Sequence, residues 1–331
     1  MKRITIITFL IFCFSAFFTF NATAKTQFTY ANFFPPQHGQ SKLAESWCKE
    51  VEKRTNGEIE IKYYPSSTLL NPGTMYDGVV NGIADIGFTV LAYSRGRFTV
   101  AAGIDLPLGY TSGVQATKVA NAVFNKFQPK EFKDTKIMYL HAHGPGVIHT
   151  ADKKISTLAD LKGLKIRGTG TSGLIVGALG ASAVGKSMRE SYTMLQKGVV
   201  DGSLHPLEAN KGWKLGEVVH HAVISAAATY TTTFAVFMNK SKWNKLSPAT
   251  QKIIKDINSE WIVKHGEVWD SDDIAGAEFF KSKGGEISEL SAAEDAKWKA
   301  AVAPVIDTYI KKASAKGVDG KAVVDFIKAN M

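Results

Sequence analysis

The chain has 331 residues, a formal net charge of +10 and 21% charged residues. This length exceeds what one hydrophobic core usually serves, so the sequence predicts two domains. The basic residues stand singly along helical stretches and form no dense runs interleaved with aromatic residues. This pattern argues against a nucleic-acid partner.

The N-terminal segment 1–24 is typical of a secretory signal peptide. Lys2 and Arg3 precede an apolar run over 4–20, and an Ala-x-Ala cleavage site ends at Ala24. The alternative is a membrane anchor, but the run is short for a span, and no later stretch provides about 20 uninterrupted apolar residues. We therefore expect a periplasmic protein whose signal peptide is cleaved near Ala24.

The two cysteines of the chain argue against a lipid anchor and against a disulfide. Cys13 follows Phe12, where a lipoprotein signal requires a small residue. Cleavage of the signal peptide leaves Cys48 as the only thiol. An intrachain disulfide is then impossible, and the stability of the mature protein must come from its core.

Strand and helix patterns alternate in the first part of the mature chain. Strand patterns cover 28–33, 59–63 and 83–90, and helix patterns cover 43–51 and 73–80. The second helix follows Asn71-Pro72, an N-cap residue with proline at the first helical position. Continuously apolar strands between helices predict a parallel sheet covered on both faces.

A second α/β set begins at Lys136. Its predicted elements are a strand at 136–142, the block 157–167, helices from about 171 and at 189–197, and a strand at 231–239. The stretch KGVVDG at 197–202 echoes NGIADIG at 81–87, which favours two similar lobes. Ser247-Pro248 opens a helical pattern that reaches toward Lys283, and so long a helix is expected to brace both lobes.

The glycine-rich stretch 168–173 is not a convincing cofactor motif. It lacks the glycine-lysine-serine/threonine ending of a P-loop and does not complete the dinucleotide fingerprint. Ser172 and Ser187 lie in no nucleophile-elbow sequence. We therefore expect a turn into a helix N-terminus, with no cofactor and no catalytic residue.

Three histidines suggest a metal site only weakly. His141, His143 and His149 lie close together in the sequence, with Asp152 as the one nearby acid. A zinc site needs three or four converging ligands. Histidines that form hydrogen bonds in loops are the simpler interpretation, and no metal is expected.

Arg167 is the candidate for ligand recognition. It ends a short apolar strand and precedes the glycine-rich stretch, at the kind of strand-to-loop junction where ligands bind. Its planar fork of donors matches the two oxygens of a carboxylate, which a lysine cannot reproduce. A surface salt bridge is the alternative, and the residues alone do not decide between the two.

Seven sequence blocks in a fixed order resemble one transporter family. They are GEIEIKYYPSSTLL, NGIADIGF, DLPLGY, LADLKGLKIRG, LGAS, YTMLQKGVVDG and FMNK, spread over most of the mature chain. This order resembles the solute-binding proteins of tripartite ATP-independent periplasmic (TRAP) transporters of the DctP type. The resemblance implies a small organic acid bound between two α/β lobes and delivered to membrane permease subunits, with Arg167 forming a salt bridge to the ligand carboxylate.

Departures from the family pattern bear on the ligand. His205 stands where the family often has an asparagine that contacts the carboxylate, and Val90 stands where sialic-acid-binding members have a glutamate. Those members carry a second arginine without a counterpart in the stretch HAHGPGVIHT. The predicted pocket is therefore less polar than a sugar-acid site. Its other candidate lining residues, which as aromatic or apolar side chains are more often core, are Phe33, Phe34, Tyr93, Met188, Trp213 and Tyr230.

The sequence thus predicts an α/β, two-lobed periplasmic binding protein fold with hinge strands and a long lobe-spanning helix. The expected lobes are 25–143 with 232–270, and 144–231 with 271–331. The chain is expected to cross between the lobes near His143 and near Thr231, and these crossings would supply the hinge.

The predicted function is binding rather than catalysis. The expected ligand is a monocarboxylate with an apolar or aromatic body, because a second buried carboxylate would lack a partner. A C4-dicarboxylate and a small sulfonate are the alternative ligands, and binding proteins of ABC or tripartite tricarboxylate systems are the nearest alternative families. A periplasmic enzyme acting on an organic acid would need a nucleophile or an acid–base pair beside Arg167. If His205 adds a donor, binding is expected to strengthen as the pH falls toward about 6.

Overall fold

The computed structural model describes residues 25–331. The predicted signal peptide, its cleavage near Ala24 and Cys13 lie outside the described residues. Among residues 25–331, no helix combines the length and the apolar character that a bilayer span requires.

Strands and helices alternate through the described part of the chain. The strands are β1 Thr26–Asn32, β2 Ile59–Tyr64, β3 Ile86–Val90, β4 Thr135–Ala142, β5 Gly146–Thr150, β6 Lys165–Arg167, β7 Ser182–Val184, β8 Gly202–Pro206, β9 His221–Ile224, β10 Thr233–Asn239 and β11 Glu286–Glu289. The helices are α1 Gly39–Arg54, α2 Met75–Val80, α3 Gly113–Phe127, α4 Thr171–Ala178, α5 Met188–Gln196, α6 Ala209–Gly212, α7 Lys240–Asn244, α8 Pro248–Ser282, α9 Ala292–Ser314 and α10 Gly320–Ala329.

The helix predicted at 73–80 begins differently from the sequence pattern. A 3₁₀ turn over Pro72–Thr74 precedes α2, and the Asn71 side chain makes no capping hydrogen bond. Proline suits the first position of this turn because the N–H that it lacks would have no partner there.

The first sheet has the strand order β2-β1-β3-β10-β4. β1 runs parallel to β2 and β3, with Tyr30 opposite both Tyr63 and Ile86. β10 is antiparallel to β3 and to β4. The prediction of a parallel sheet is therefore right for β1 to β3 and wrong for β10, because this strand returns from the second lobe and enters the sheet in the opposite direction.

The second sheet has the strand order β11-β9-β5-β8-β6-β7. β6 is parallel to β7 and β8, whereas β5 is antiparallel to β8 and β9. Arg167 at the end of β6 lies opposite Ser203 of β8. Because the carboxyl ends of these parallel neighbours meet at one edge of the sheet, Arg167 and His205 reach the same border of the second lobe.

Two neighbouring segments connect the strands of the two lobes, and α8 makes a third connection, into β11. One runs from β4 to β5, and the other returns into β10. Thr231 Oγ1 donates a hydrogen bond to the His143 carbonyl at 2.6 Å, and the Gly146 N–H donates to the Tyr230 carbonyl at 2.9 Å. The predicted crossings near His143 and Thr231 lie in these segments, and the predicted two-lobed architecture is confirmed.

The long helix α8 contacts both lobes, as predicted. Ser247 Oγ accepts the Thr250 N–H at 3.1 Å, and Pro248 occupies the first helical turn. The helix packs against α1, α3 and β4 of the first lobe and against α6 of the second. Its contact with the second lobe requires Gly276, because a Cβ there would lie 2.1 Å from the Leu207 carbonyl oxygen.

The C-terminal helices touch both lobes. α9 packs against α4, whereas α10 packs against α9 and α3. The contact of α10 with α3 differs from the expected placement of 271–331 in the second lobe, because the buried face of α10 covers a helix of the first lobe. The predicted boundaries of the lobes otherwise stay predictions.

Candidate functional site

A cavity lies between the two lobes. All eight residues predicted from the sequence border it: Arg167, His205, Phe33, Phe34, Tyr93, Met188, Trp213 and Tyr230. The fold thus brings together side chains from both lobes around one space. Their contact with a ligand stays a prediction.

A tight turn positions Arg167 at the cavity. Gly168 follows it, and a Cβ at this glycine would lie 3.0 Å from the backbone of Ser172. Ser172 Oγ accepts the Thr169 N–H at 2.8 Å, and its O–H donates to the Thr169 carbonyl at 2.9 Å. The glycine-rich stretch therefore turns directly into α4, which holds the end of β6 in place.

The Arg167 guanidinium is buried and has no counter-ion in the described chain. The residue is 5% exposed, and its Nε donates to the Lys186 carbonyl at 2.9 Å. No carboxylate of residues 25–331 forms an ion pair with it. The alternative of a surface salt bridge is therefore wrong. Since a buried, unpaired cation is costly, this position suits a bound anion.

His205 borders the cavity as a neutral imidazole. Its ring stacks on His149 with centroids 3.9 Å apart, and neither ring nitrogen is hydrogen-bonded within residues 25–331, since the Asn210 amide is bonded to His149. Burial first, and then the neighbouring His149 ring and the Arg167 charge, lower the pKa of His205 well below its usual value. The lowered pKa argues against the expected strengthening of binding through His205 protonation near pH 6, and the neutral ring still offers one N–H donor.

The histidines of the suspected metal cluster, His141, His143 and His149, do not converge. His143 borders the cavity with its Nδ1 2.5 Å from the Gly144 carbonyl oxygen, and burial lowers its pKa to about 4. His141 stacks on His265, with centroids 4.2 Å apart, in the first lobe. Within the described residues, no three His, Cys, Asp or Glu side chains are arranged to hold a metal ion.

Aromatic rings form a wall of the cavity. Phe33 and Trp213 are stacked with ring centroids 5.9 Å apart and planes at 21°. Phe34 lies 5.5 Å from Trp213, and Tyr93 lies 5.8 Å from Phe33. Phe33 and Phe34 are almost fully buried, so they belong to the core as well as to the wall. Such a wall suits the flat or branched apolar part of a ligand.

Hydrogen bonds join the two lobes beside the cavity. The Met188 N–H donates to the Tyr93 hydroxyl at 2.9 Å, and Arg95 Nη2 donates to the Gly185 carbonyl at 3.4 Å. Each bond has one partner in either lobe. The structure is therefore a closed arrangement of the two lobes.

Glu208 is a cavity residue that the sequence did not predict. It follows β8, is 3% exposed, and has its Oε2 2.8 Å from His38 Nε2. The one signal in the sequence for this residue is an acid shortly after His205. Its partner, His38, lies near the start of the mature chain. The other bordering residues that were not predicted are His143, Thr169, Ser172, Leu204, Pro206, Thr232 and Phe234.

Comparisons with known proteins agree with this architecture. The profile of the family described as "Bacterial extracellular solute-binding protein, family 7" matches residues 30–312. A solved TRAP periplasmic solute-binding protein from Desulfovibrio salexigens DSM2638, an open complex, is 35% identical, with a TM-score of 0.82 and coverage of 93% of this chain and 96% of that chain.

Two further relatives are informative about ligands. A solved TRAP solute-binding protein from Rhodoferax ferrireducens T118, in complex with copurified benzoate, is 30% identical, with a TM-score of 0.87 and coverage of 92% of this chain and 97% of that chain. The C4-dicarboxylate-binding periplasmic protein DctP of Rhodobacter capsulatus is 25% identical over 299 residues, which are 87% of this chain and 88% of that protein.

The family match extends over both lobes and over the residues that border the cavity. The resemblance inferred from the seven sequence blocks is confirmed. The chain therefore belongs to family 7 of the bacterial extracellular solute-binding proteins, the periplasmic solute-binding proteins of TRAP transporters.

Proposed function

We propose that this protein captures a monocarboxylate with an apolar or aromatic body and delivers it to the membrane permease subunits of a TRAP transporter. The observation that carries the proposal is the buried Arg167 guanidinium, which borders the cavity and has no counter-ion among residues 25–331. A ligand carboxylate would supply that counter-ion and would accept parallel N–H bonds from the guanidinium fork.

The aromatic wall supports an apolar body for the ligand. The stacked rings of Phe33 and Trp213 offer flat apolar surface, and burial of such surface contributes about 25 cal/mol per Å². The relative from Rhodoferax ferrireducens binds benzoate, an aryl monocarboxylate. Both observations favour an aryl or branched acid over a compact polar acid.

A C4-dicarboxylate is the second candidate, because one relative is a C4-dicarboxylate-binding protein. In this chain a second carboxylate would share the cavity with the buried acid Glu208. Arg167 is the one cationic side chain of the described lining, so the two carboxylates would compete for it. Like charges in a buried site repel each other strongly. The lining therefore favours one carboxylate over two.

The cavity gives little support to hydrolytic chemistry. The Ser172 hydroxyl borders it, but its proton is donated to the Thr169 carbonyl rather than to a histidine. A nucleophilic serine needs a base within hydrogen-bond reach of its hydroxyl. Capture of the acid without a chemical step is the function that this geometry favours.

A ligand screen tests the proposal. Mass spectrometry of small molecules that copurify with the mature protein is the first step. Thermal-shift measurements would then compare benzoate, phenylacetate, mandelate and 4-methyl-2-oxopentanoate with succinate, malate, fumarate and a small sulfonate. We expect stabilisation by the first group. Stabilisation by the C4-dicarboxylates, with no response to the first group, would contradict the proposed ligand class.

A further inference from the structure

Glu208 is a buried acid that carboxylate capture by Arg167 does not use. It borders the cavity and is 3% exposed. Its Oε2 is fully buried and lies 2.8 Å from His38 Nε2, in an ion-pair contact whose geometry is not that of a hydrogen bond. Its Oε1 is not among the fully buried, unpartnered atoms of residues 25–331. Oε1 is therefore the carboxylate oxygen that can contact a ligand in the cavity.

Three contacts hold Glu208 in this position. Asp273 Oδ1 accepts the Glu208 N–H at 2.8 Å. Helix α8 approaches so closely that a Cβ at Gly276 would lie 2.7 Å from the Glu208 Cα. Gly212 covers the paired side chains, since a Cβ there would lie 2.7 Å from the His38 ring and 2.8 Å from Glu208 Oε2. The acid is therefore a rigid part of the cavity wall.

We infer that Glu208 is a specificity-determining residue that accepts a hydrogen bond from a hydroxyl group on the body of the ligand. This inference rests on the proposed function and narrows its ligand class to hydroxy-substituted monocarboxylates. When a ligand displaces water from the cavity, a carboxylate oxygen left there without a donor is costly, and a ligand hydroxyl removes that cost. Because Oε2 already lies 2.8 Å from His38 Nε2, a neutral donor to Oε1 adds no further charge to the site.

Calorimetry with the full mature protein and a set of matched acids tests the inference. The ligands are phenylacetate, its 3- and 4-hydroxy derivatives, the two corresponding methoxy derivatives and 4-aminophenylacetate. We expect one hydroxy derivative to bind at least about tenfold more tightly than phenylacetate, because hydrogen bonds to charged groups contribute about 1.5–3 kcal/mol. The methoxy derivatives, which accept but cannot donate, should show no gain.

Variants then locate the acceptor. In Glu208→Gln the gain from the hydroxyl group should fall below about threefold while phenylacetate still binds, because the amide group has to satisfy His38 with its oxygen and turn its own donor toward the cavity. Glu267→Gln, which removes an exposed acid of α8, should keep the gain. If Glu208→Gln fails to fold, Glu208→Asp serves instead, because it withdraws the acceptor and should also lose the gain.

The outcomes separate this inference from the function on which it rests. Equal affinity of the wild-type protein for phenylacetate and both hydroxy derivatives would overturn the inference and leave the proposed function standing. A gain retained in Glu208→Gln, or a gain shown by the amino derivative alone, would also overturn it. Failure of every aryl acid to bind the wild-type protein would overturn the proposed function itself.

Discussion

The Tyr93 hydroxyl accepts a hydrogen bond from the Met188 backbone N–H across the mouth of the cavity, at 2.9 Å. Tyr93 follows β3 in the first lobe, and Met188 begins α5 in the second. This bond forms only when the lobes are together. It therefore stabilises the closed state alone, and it contributes to the affinity for a ligand that the closed lobes surround.

Tyr93→Phe should weaken ligand binding about two- to tenfold, because a neutral hydrogen bond contributes about 0.5–1.5 kcal/mol. The phenyl ring keeps its packing against Phe33, so the wall of the cavity should be unchanged. Calorimetry with a bound monocarboxylate measures the effect. Tyr64→Phe, on β2 away from the cavity, is the matched control, and equal affinities for all three proteins would contradict the role of the bond.

Ligand binding should close the two lobes about their connecting segments. Solution scattering is expected to show a smaller radius of gyration at saturating ligand, and the melting temperature should rise because the ligand binds only the folded protein. A scattering profile that does not change with ligand would instead indicate lobes that are already closed in the free protein.

Arg167→Ala should abolish ligand binding and leave the fold intact. The expected loss is about 3–5 kcal/mol, because the ligand charge would be buried without its partner. Arg167→Lys should restore little, since a lysine lacks the planar fork. Arg54→Ala, which removes an arginine of α1 that pairs with Glu260, is the control. Near-normal affinity of Arg167→Ala in calorimetry would refute the anchor.

Affinity should be nearly constant between about pH 8 and pH 6 as far as the cavity histidines are concerned. Burial lowers the pKa of His143 to about 4, and burial together with the neighbouring His149 ring and the Arg167 charge lowers the pKa of His205 well below the usual value of about 6.5. Both rings are therefore neutral throughout this range. A rise in affinity near pH 6 that disappears in His205→Gln would show that the ligand protonates this ring.

Asp105 should reduce the stability of the protein as the pH rises. It is buried and accepts the N–H and O–H of Thr233 at 2.8 and 2.7 Å, and burial raises its pKa to about 7. Between about pH 4 and pH 7 the folded carboxyl keeps a proton that the unfolded chain has released. Its contribution to stability is therefore present at low pH and lost as the pH rises through about 7.

Asp105→Asn removes this loss, because an amide group does not titrate. The amide oxygen can accept the same two hydrogen bonds. Relative to wild type, the free energy of unfolding of the variant should increase from pH 5 to pH 8 by up to about 1.4 kcal/mol per unit over the window in which Asp105 titrates. Urea titrations at both pH values measure the difference. Asp134→Asn, at an exposed acid, is the control, and a pH-independent difference for Asp105→Asn would contradict the raised pKa.

Local sequence patterns determined the main elements and the position of Arg167 at a strand end. Ser247-Pro248 marked the start of α8, because capping involves only neighbouring residues. The short apolar strand before Arg167, followed by glycines, placed a cation at a strand end. The seven ordered blocks then indicated a two-lobed fold with Arg167 at its ligand site, and the structure does place this arginine at the cavity.

Other features were decided only by the packing of distant segments. The antiparallel direction of β10 depends on the chain returning from the second lobe, which no local pattern records. The neutral state of His205 follows from burial beside His149 and Arg167, and a histidine in a sequence carries no sign of its final exposure.

The pairs Glu208 with His38 and Tyr93 with Met188 could not be predicted, because each joins residues from separate lobes. Residue type and spacing act over a few positions along the chain and therefore determined the strands, the helices and Arg167. Burial, charge pairing and lobe contact depend on which surfaces meet, so the tertiary structure alone decided which side chains border the cavity besides Arg167.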